Sequence, residues 1–115
     1  MAISELYSGS ETVSTTEHSL TTDTAGPDVD TTDGIFQCFL DLSALAAGDQ
    51  FVLNLYEKVT SGGTQRLVES WYFTGVQGSP NFVTPAMILL HGWDFTLDKL
   101  AGTDRAITWS IRSVA

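Results

Sequence analysis

The densest set of possible metal ligands in this 115-residue chain is the stretch TTDTAGPDVDTTDG at residues 21–34. It contains four aspartates and no cation. They are Asp23, Asp28, Asp30 and Asp33. An EF-hand loop requires acids in a fixed register and ends on a bidentate Glu. Counted from Asp28, the acids fall out of that register, and the last ligand position is Phe39.

Turn-forming pairs offer a simpler explanation of the same stretch. Gly26-Pro27 and Asp33-Gly34 are typical of sharp changes in chain direction. We therefore predict a surface loop and no tight metal site. A looser calcium site formed by Asp28, Asp30 and Asp33 remains the alternative.

Other catalytic or metal-binding sets are incomplete. His18, Cys38 and His91 share no zinc-ligand spacing, and three such residues would leave a zinc site one ligand short. The strand that ends at His91-Gly92 resembles the oxyanion strand of α/β-hydrolases, but the chain has no Gly-x-Ser-x-Gly nucleophile turn. We expect no catalytic residues, no cofactor and no enzymatic activity.

Length and charge limit the classes of function. A chain of this length supports one domain, which we place at residues 1–115, with an acidic segment at 1–34 that includes loop 21–34. The net charge is −9, and no Lys or Arg occurs before Lys58. Such a surface repels nucleic acid and anionic membranes. A single cysteine excludes an intrachain disulfide, and no signal-like segment is visible, so we expect synthesis in a cytoplasm.

Strand patterns dominate the chain. Apolar residues alternate with polar ones in five segments, among them GIFQCFLDLS and FVLNLYEKV, and this period is typical of strands with one wet face. The pattern predicts an all-β, single-domain antiparallel β-sandwich, jelly-roll-like, with seven or eight strands. One helical turn is expected in SALAAGD at 43–49. The predicted core is Phe36, Cys38, Leu40, Phe51, Leu53, Leu55, Leu67, Trp71, Phe73, Trp93, Phe95, Leu97, Ile107, Trp109 and Ile111.

The aromatic residues divide into two groups by phase. The three tryptophans share the apolar phase of their strands, so we assign them to the core. Tyr7, Tyr56 and Tyr72 lie on or near the opposite face and are the candidates for a protein interface. Asp94, Thr96 and Asp98 are likewise expected on a wet face.

A resemblance to a known class of proteins covers most of the chain. The succession MAISELYSGS, TVSTTEHSL, DGIFQCFLDLSALAAGDQFVLNLYEKV, QRLVESW and LLHGWDFTLDKLAGTDRAITWSIRSV resembles small proteins encoded in the structural gene clusters of tailed phages. These are similar in kind to capsid decoration, or cement, proteins. The likeness is one of length, strand order and phrasing, and it transfers no functional residue.

The resemblance implies a virion accessory protein on the outer capsid surface, made in the host cytoplasm. Its partner would be the major capsid protein, whose neighbouring subunits it would bridge and stabilise. It would act as a homo-oligomer, with a trimer as one arrangement. The alternative is a carbohydrate- or receptor-binding β-sandwich module of a phage tail or fibre, which would use exposed aromatic residues.

Overall fold

The computed structural model describes residues 2–114, which form ten β-strands. The strands are β1 (Ile3–Val13), β2 (His18–Ser19), β3 (Thr24–Ala25), β4 (Gly34–Asp41), β5 (Gln50–Glu57), β6 (Arg66–Thr74), β7 (Asn81–Val83), β8 (Met87–Leu89), β9 (Asp94–Ala101) and β10 (Arg105–Val114). Two antiparallel sheets result. The first has the order β1-β10-β4-β7, with β8 also paired to β4, and the second has the order β3-β2-β9-β5-β6.

The connections are those of a jelly roll. The chain passes repeatedly from one sheet to the other, and its first and last strands pair with each other. Strands β7 and β8 pair one after the other along β4 and so fill one strand position together. Strands β2 and β3 instead pair side by side as a short hairpin at the edge of the second sheet. With this hairpin counted as one unit, the strand order matches the two four-stranded sheets of a jelly roll, although the chain forms ten strands and not the predicted seven or eight. The predicted all-β antiparallel sandwich is confirmed. Residues 1 and 115, the ends of the predicted domain, lie outside the described residues.

The core lies between the sheets and consists of the residues that the alternation selects. The predicted core residues are buried except Trp71, which is half-buried, and Leu67, which is 52% exposed. Aromatic rings pack against one another in it: Trp93 lies edge to face with Phe95, with ring centroids 5.9 Å apart, and tilted against Phe36, with ring centroids 4.5 Å apart. These contacts add to the free energy that burial of the rings supplies.

The prediction for Leu67 is wrong because β6 contains a β-bulge. Leu55 pairs with Glu69, but the next residue, Tyr56, pairs with Leu67, so Val68 is an extra residue. One extra residue reverses the faces of a strand from that point. Leu67 therefore points outward beside Tyr56, whereas Glu69 keeps the inward phase of Trp71.

The helical turn expected at 43–49 is also absent. Residues 42–49 form two separate turns, closed by Leu45 N–H to Leu42 O (3.2 Å) and Asp49 N–H to Ala46 O (3.1 Å). Asp49 explains the second turn, because its carboxylate accepts from the N–H groups of Thr103 and Ala46 and from Arg105. These bonds hold its pKa at about 2, well below the ordinary value.

Candidate protein interface

The aspartates of loop 21–34 point to different partners. Asp28 accepts a hydrogen bond from Thr22 Oγ1 at 2.6 Å, and the side chain of Asp30 accepts from the Tyr7 hydroxyl. Asp33 is exposed to solvent. Within residues 2–114, no group of three or more His, Cys, Asp or Glu side chains is arranged to hold a metal ion. The loop does not bring Asp28, Asp30 and Asp33 together as ligands of a calcium site.

The loop instead covers the outer face of the second sheet. Asp94 Oδ1 accepts from Thr21 Oγ1 (2.9 Å), and its Oδ2 accepts from the backbone N–H of Asp28 (2.8 Å). Asp94 and Thr96, expected on a wet face, are fully buried. The sequence correctly predicted the face of the strand on which they lie, but it did not predict that loop 21–34 covers this face. Burial raises the pKa of Asp94, while the hydrogen bonds from the loop oppose that rise.

Two of the three candidate interface tyrosines are engaged within the molecule. Tyr7 and Tyr56 are half-buried, and their hydroxyls donate to Asp30 and to Glu17, the latter at 2.5 Å. Burial, followed by these acidic partners, raises the pKa of both tyrosines. Tyr72 is 64% exposed on edge strand β6. A role of these tyrosines in an interface stays a prediction, and Tyr72 offers the largest free surface.

Glu17 and Asp98 form an acidic pair beside Tyr56, and this pair yields a prediction about stability. Asp98 Oδ1 is buried with no hydrogen-bond partner in residues 2–114. Burial first, and the Glu17 carboxylate second, raise the pKa of Asp98 above its ordinary 3.8. A carboxyl with a raised folded-state pKa lowers stability when ionised, and this cost disappears as the pH falls.

We therefore expect Asp98→Asn to raise the melting temperature at pH 7. The gain should shrink as the pH falls towards 3.8, where the unfolded chain also begins to take up protons. Thermal unfolding followed by circular dichroism across this pH range measures the effect. Asp33→Asn, at an exposed position of the loop, is the matched control. An equal gain from both variants would indicate a general effect of net charge.

A row of apolar side chains, three of them exposed and one half-buried, crosses the outer face of the first sheet. Ile3 pairs with Val114, Val114 with Ile35, and Ile35 with Ile88, so the four side chains form one cross-strand row over β1, β10, β4 and β8. Ile3, Ile35 and Ile88 are 69%, 42% and 81% exposed. Val68, 53% exposed on β6, lines the same groove as Ile88 and extends the row around the margin. We call these five residues the apolar strip.

The margin between β6 and β8 contains a groove beside Ile88 and Val68, at one end of the strip. The groove encloses about 450 Å³. Its apolar lining includes Leu55, Trp71 and Met87, and its acidic residues are Glu57 and Glu69. We call it the margin groove. Beyond it the margin is closed, because Phe82 of β7 packs on Phe73 with ring centroids 4.9 Å apart.

Strand β6 also has an unpaired edge. It is the last strand of its sheet and runs for nine residues. Edges of this length are ready to pair with another extended chain unless charges or bulges interrupt them. The bulge at Val68 and the charge of Glu69 limit that pairing, so the edge favours a partner that can accommodate both.

The polar half of the first sheet's outer face bears on the carbohydrate-binding alternative. A shallow depression of about 640 Å³ is lined by hydroxyl groups, such as those of Ser10 and Thr108, and by Phe39. The guanidinium of Arg112 lies 3.8 Å from the centroid of Phe39 and covers one face of that ring. Among the aromatic side chains of residues 2–114, only Tyr72 is mostly exposed. This part of the chain therefore lacks the concave set of exposed rings expected of that alternative.

Sequence reasoning missed the apolar strip. The signal was present in Ile35 and Ile88, which are apolar and out of phase with the buried residues of their strands. Ile3 gave no such signal, because it has the phase of buried Val13 and reaches the outer face only through the irregularity between Glu5 and Tyr7. A strand that is apolar on both faces indicates either a buried sheet or an interface.

Comparison of the chain with protein-family models, curated proteins and solved structures finds no match in any of the three. Within residues 2–114, no helical segment has the length and hydropathy that crossing a lipid bilayer requires.

Proposed function

We propose that this protein is a non-catalytic structural binding protein that attaches to the outside of an assembled protein shell through the apolar strip. Specifically, it decorates and stabilises a phage capsid by bridging neighbouring subunits of the major capsid protein. The observation that carries the proposal is the cross-strand apolar row over four strands, which is exposed at every position except the half-buried Val114. Ordered apolar surface of this kind is typical of protein interaction sites.

The sheet beneath the strip suits rigid attachment. Side chains held on paired strands lose little freedom when a partner binds, so more of the burial energy remains as affinity. Each Å² of apolar surface removed from water contributes about 25 cal/mol. A capsid repeats its binding site many times, so modest contacts are sufficient, and association into a homo-oligomer would add avidity.

Fold and charge support the proposal at a coarser level. Jelly rolls occur in viral capsid proteins and also in lectins, so the fold is an analogy and no proof of function. The acidic half of the chain, which has no base before Lys58, would steer the protein towards a basic surface on its partner. Such steering acts mainly on the association rate and weakens with salt.

Capsid attachment can be measured with purified heads that lack the protein. We expect wild-type protein to bind them, to reach a copy number in the hundreds and to raise the temperature at which the heads disrupt, because a ligand of the intact shell stabilises it. Ile88→Asp should weaken binding by about 100-fold, since it would bury an unpaired charge in the interface. Ile88 is 81% exposed, so the variant should fold normally.

Val76→Asp is the matched control. Val76 is 72% exposed in the connection that follows β6. It lies beyond the C-terminal end of β6, whereas Val68 lies near the N-terminal end of that strand. The Val76→Asp variant should bind heads as the wild-type protein does. Absence of binding at any salt concentration, a handful of copies per head, or equal binding by Ile88→Asp would each overturn the proposal.

A further inference from the structure

We infer that the margin groove receives an extended basic segment of the partner chain, which adds as a strand to the free edge of β6. This inference deepens the proposed function, because it names the chemistry of the partner at one end of the apolar strip. The occupant would place an apolar side chain against Leu55, Trp71 and Met87, and it would place Lys or Arg side chains near Glu57 and Glu69.

Glu69 lines the margin groove and is exposed to solvent. The bulge leaves Glu69 opposite Leu55, in phase with Trp71 and Phe73. Its carboxylate accepts a hydrogen bond only from the adjacent Ser70 N–H, at 3.0 Å, among the described residues. An exposed carboxylate without an ion-pair partner among the described residues can pair with a cation of a binding partner.

Glu57 gives the groove a second carboxylate with a fixed position. Its Oε1 accepts from the N–H of Gly92 and its Oε2 accepts from the N–H of Leu90, both at 2.8 Å. The ion pairs found within residues 2–114 involve neither Glu57 nor Glu69, although Arg66 lies across from Glu57 in the strand register. Two carboxylates without ion-pair partners beside an apolar floor favour a cationic segment with apolar side chains.

Charge also argues against a second copy of this chain as the occupant. The other long free edge of the molecule is β1, which carries Glu5 and Glu11 and no base. Pairing β1 of one copy with β6 of another would place these acids near Glu69. Like charges across strands destabilise pairing, so the occupant is a basic segment from a different protein.

The mode of binding follows from the edge. Strand β6 ends its sheet, so one side of its backbone has no neighbouring strand. An extended segment that pairs there gains main-chain hydrogen bonds, and pockets beside the edge then select alternate side chains. The margin groove lies beside this edge and supplies such a pocket.

Synthetic peptides can test the inference without a capsid. The probe is a capped decapeptide that alternates Val and Lys. One comparison peptide alternates Val with Glu, and a second alternates Ser with Lys. We expect chemical-shift changes in the amide spectrum, on titration with the Val–Lys peptide, to concentrate on residues 66–74 and on Ile88. Slower amide exchange along β6 should accompany them. The Ser–Lys peptide should bind more weakly because it has no apolar side chain, and the Val–Glu peptide should not bind.

Matched variants separate the groove from the general acidity of the protein. Glu69→Gln should weaken binding of the Val–Lys peptide about threefold, as expected for the loss of one ion pair near a surface. Asp33→Asn, which removes the same charge from the exposed loop, should leave binding unchanged. Glu69→Leu, at an exposed position, should leave the melting temperature nearly unchanged and still lose affinity. Shifts spread over the whole acidic surface, equal effects of Glu69→Gln and Asp33→Asn, or no binding of the peptide would overturn the inference.

The two proposals can fail separately. If heads bind the wild-type protein but not Ile88→Asp, and the peptide does not bind at β6, the capsid proposal stands and the inference of a basic segment is rejected. If the peptide binds β6 but the heads bind no protein, the capsid proposal is rejected and the inference about the margin groove stands.

Discussion

Replacement of Trp109 by alanine is expected to lower the free energy of unfolding by about 3–5 kcal/mol. Trp109 lies on β10, between β1 and β4, and is only 2% exposed. Its Nε1 donates to the backbone O of Leu20 at 3.0 Å, and the His18 ring packs edge-on against it with a centroid distance of 5.6 Å. The alanine variant would leave a cavity in the core and a buried carbonyl without its donor.

Urea unfolding measured by circular dichroism tests this expectation. Trp109→Phe keeps a six-membered ring but loses the five-membered ring and its N–H, so it should cost less than Trp109→Ala. The exposed Val76→Ala variant should change stability by less than about 0.5 kcal/mol. A loss below about 1 kcal/mol for Trp109→Ala would mean that the indole does not fill the core as described.

Alternation in the sequence was sufficient to predict the core around Trp109, because the strands that contribute to it place alternate residues between the two sheets. The space for the indole was not predictable. Gly9 pairs with Trp109 across the strands, and a Cβ at Gly9 would lie 2.6 Å from Cζ2 of the indole. The absence of a side chain at Gly9 is required by a residue 100 positions later, and local pattern holds no information about that contact.

The errors in the fold prediction come from features that alternation cannot express. The bulge at Val68 depends on how β6 pairs with β5, and it moved Leu67 to the outside. The cover over Asp94 depends on where loop 21–34 lies in space. In both cases the sequence showed which residues alternate along the strand. Chain segments distant in sequence determine whether a given side chain of the strand is buried or exposed.

The candidate site was less predictable than the fold for the same reason. Ile3, Ile35 and Ile88 become one row only through the pairing of strands that lie far apart in the chain. The tyrosines chosen from their phase were individually plausible, but two of them donate to carboxylates brought near by folding. An interface is a property of register and exposure together, and a single sequence gives only a partial prediction of either.

Replacement of Asp94 by alanine should lower the free energy of unfolding by about 2–3 kcal/mol, because hydrogen bonds to a charged group are worth more than neutral ones. The variant removes the acceptor for Thr21 and leaves the Asp28 N–H without its partner. Asp94→Asn keeps one carbonyl oxygen as acceptor, so it should lose less. Limited proteolysis should show earlier cleavage within residues 21–33 of the alanine variant.

The same variant tests what the aspartate loop is for. If the loop is a cover held by Asp94, calcium should leave the melting temperature of the wild type unchanged, since the carboxylates of Asp28 and Asp30 are already occupied by hydroxyl donors. Asp94 lies on β9 beneath the loop, whereas the residues of the apolar strip lie on β1, β10, β4, β8 and β6. Asp94→Ala should therefore lose stability and keep its attachment to heads, whereas Ile88→Asp should keep stability and lose attachment. A calcium-dependent rise in melting temperature that Asp94→Ala abolishes would instead assign the loop to cation binding.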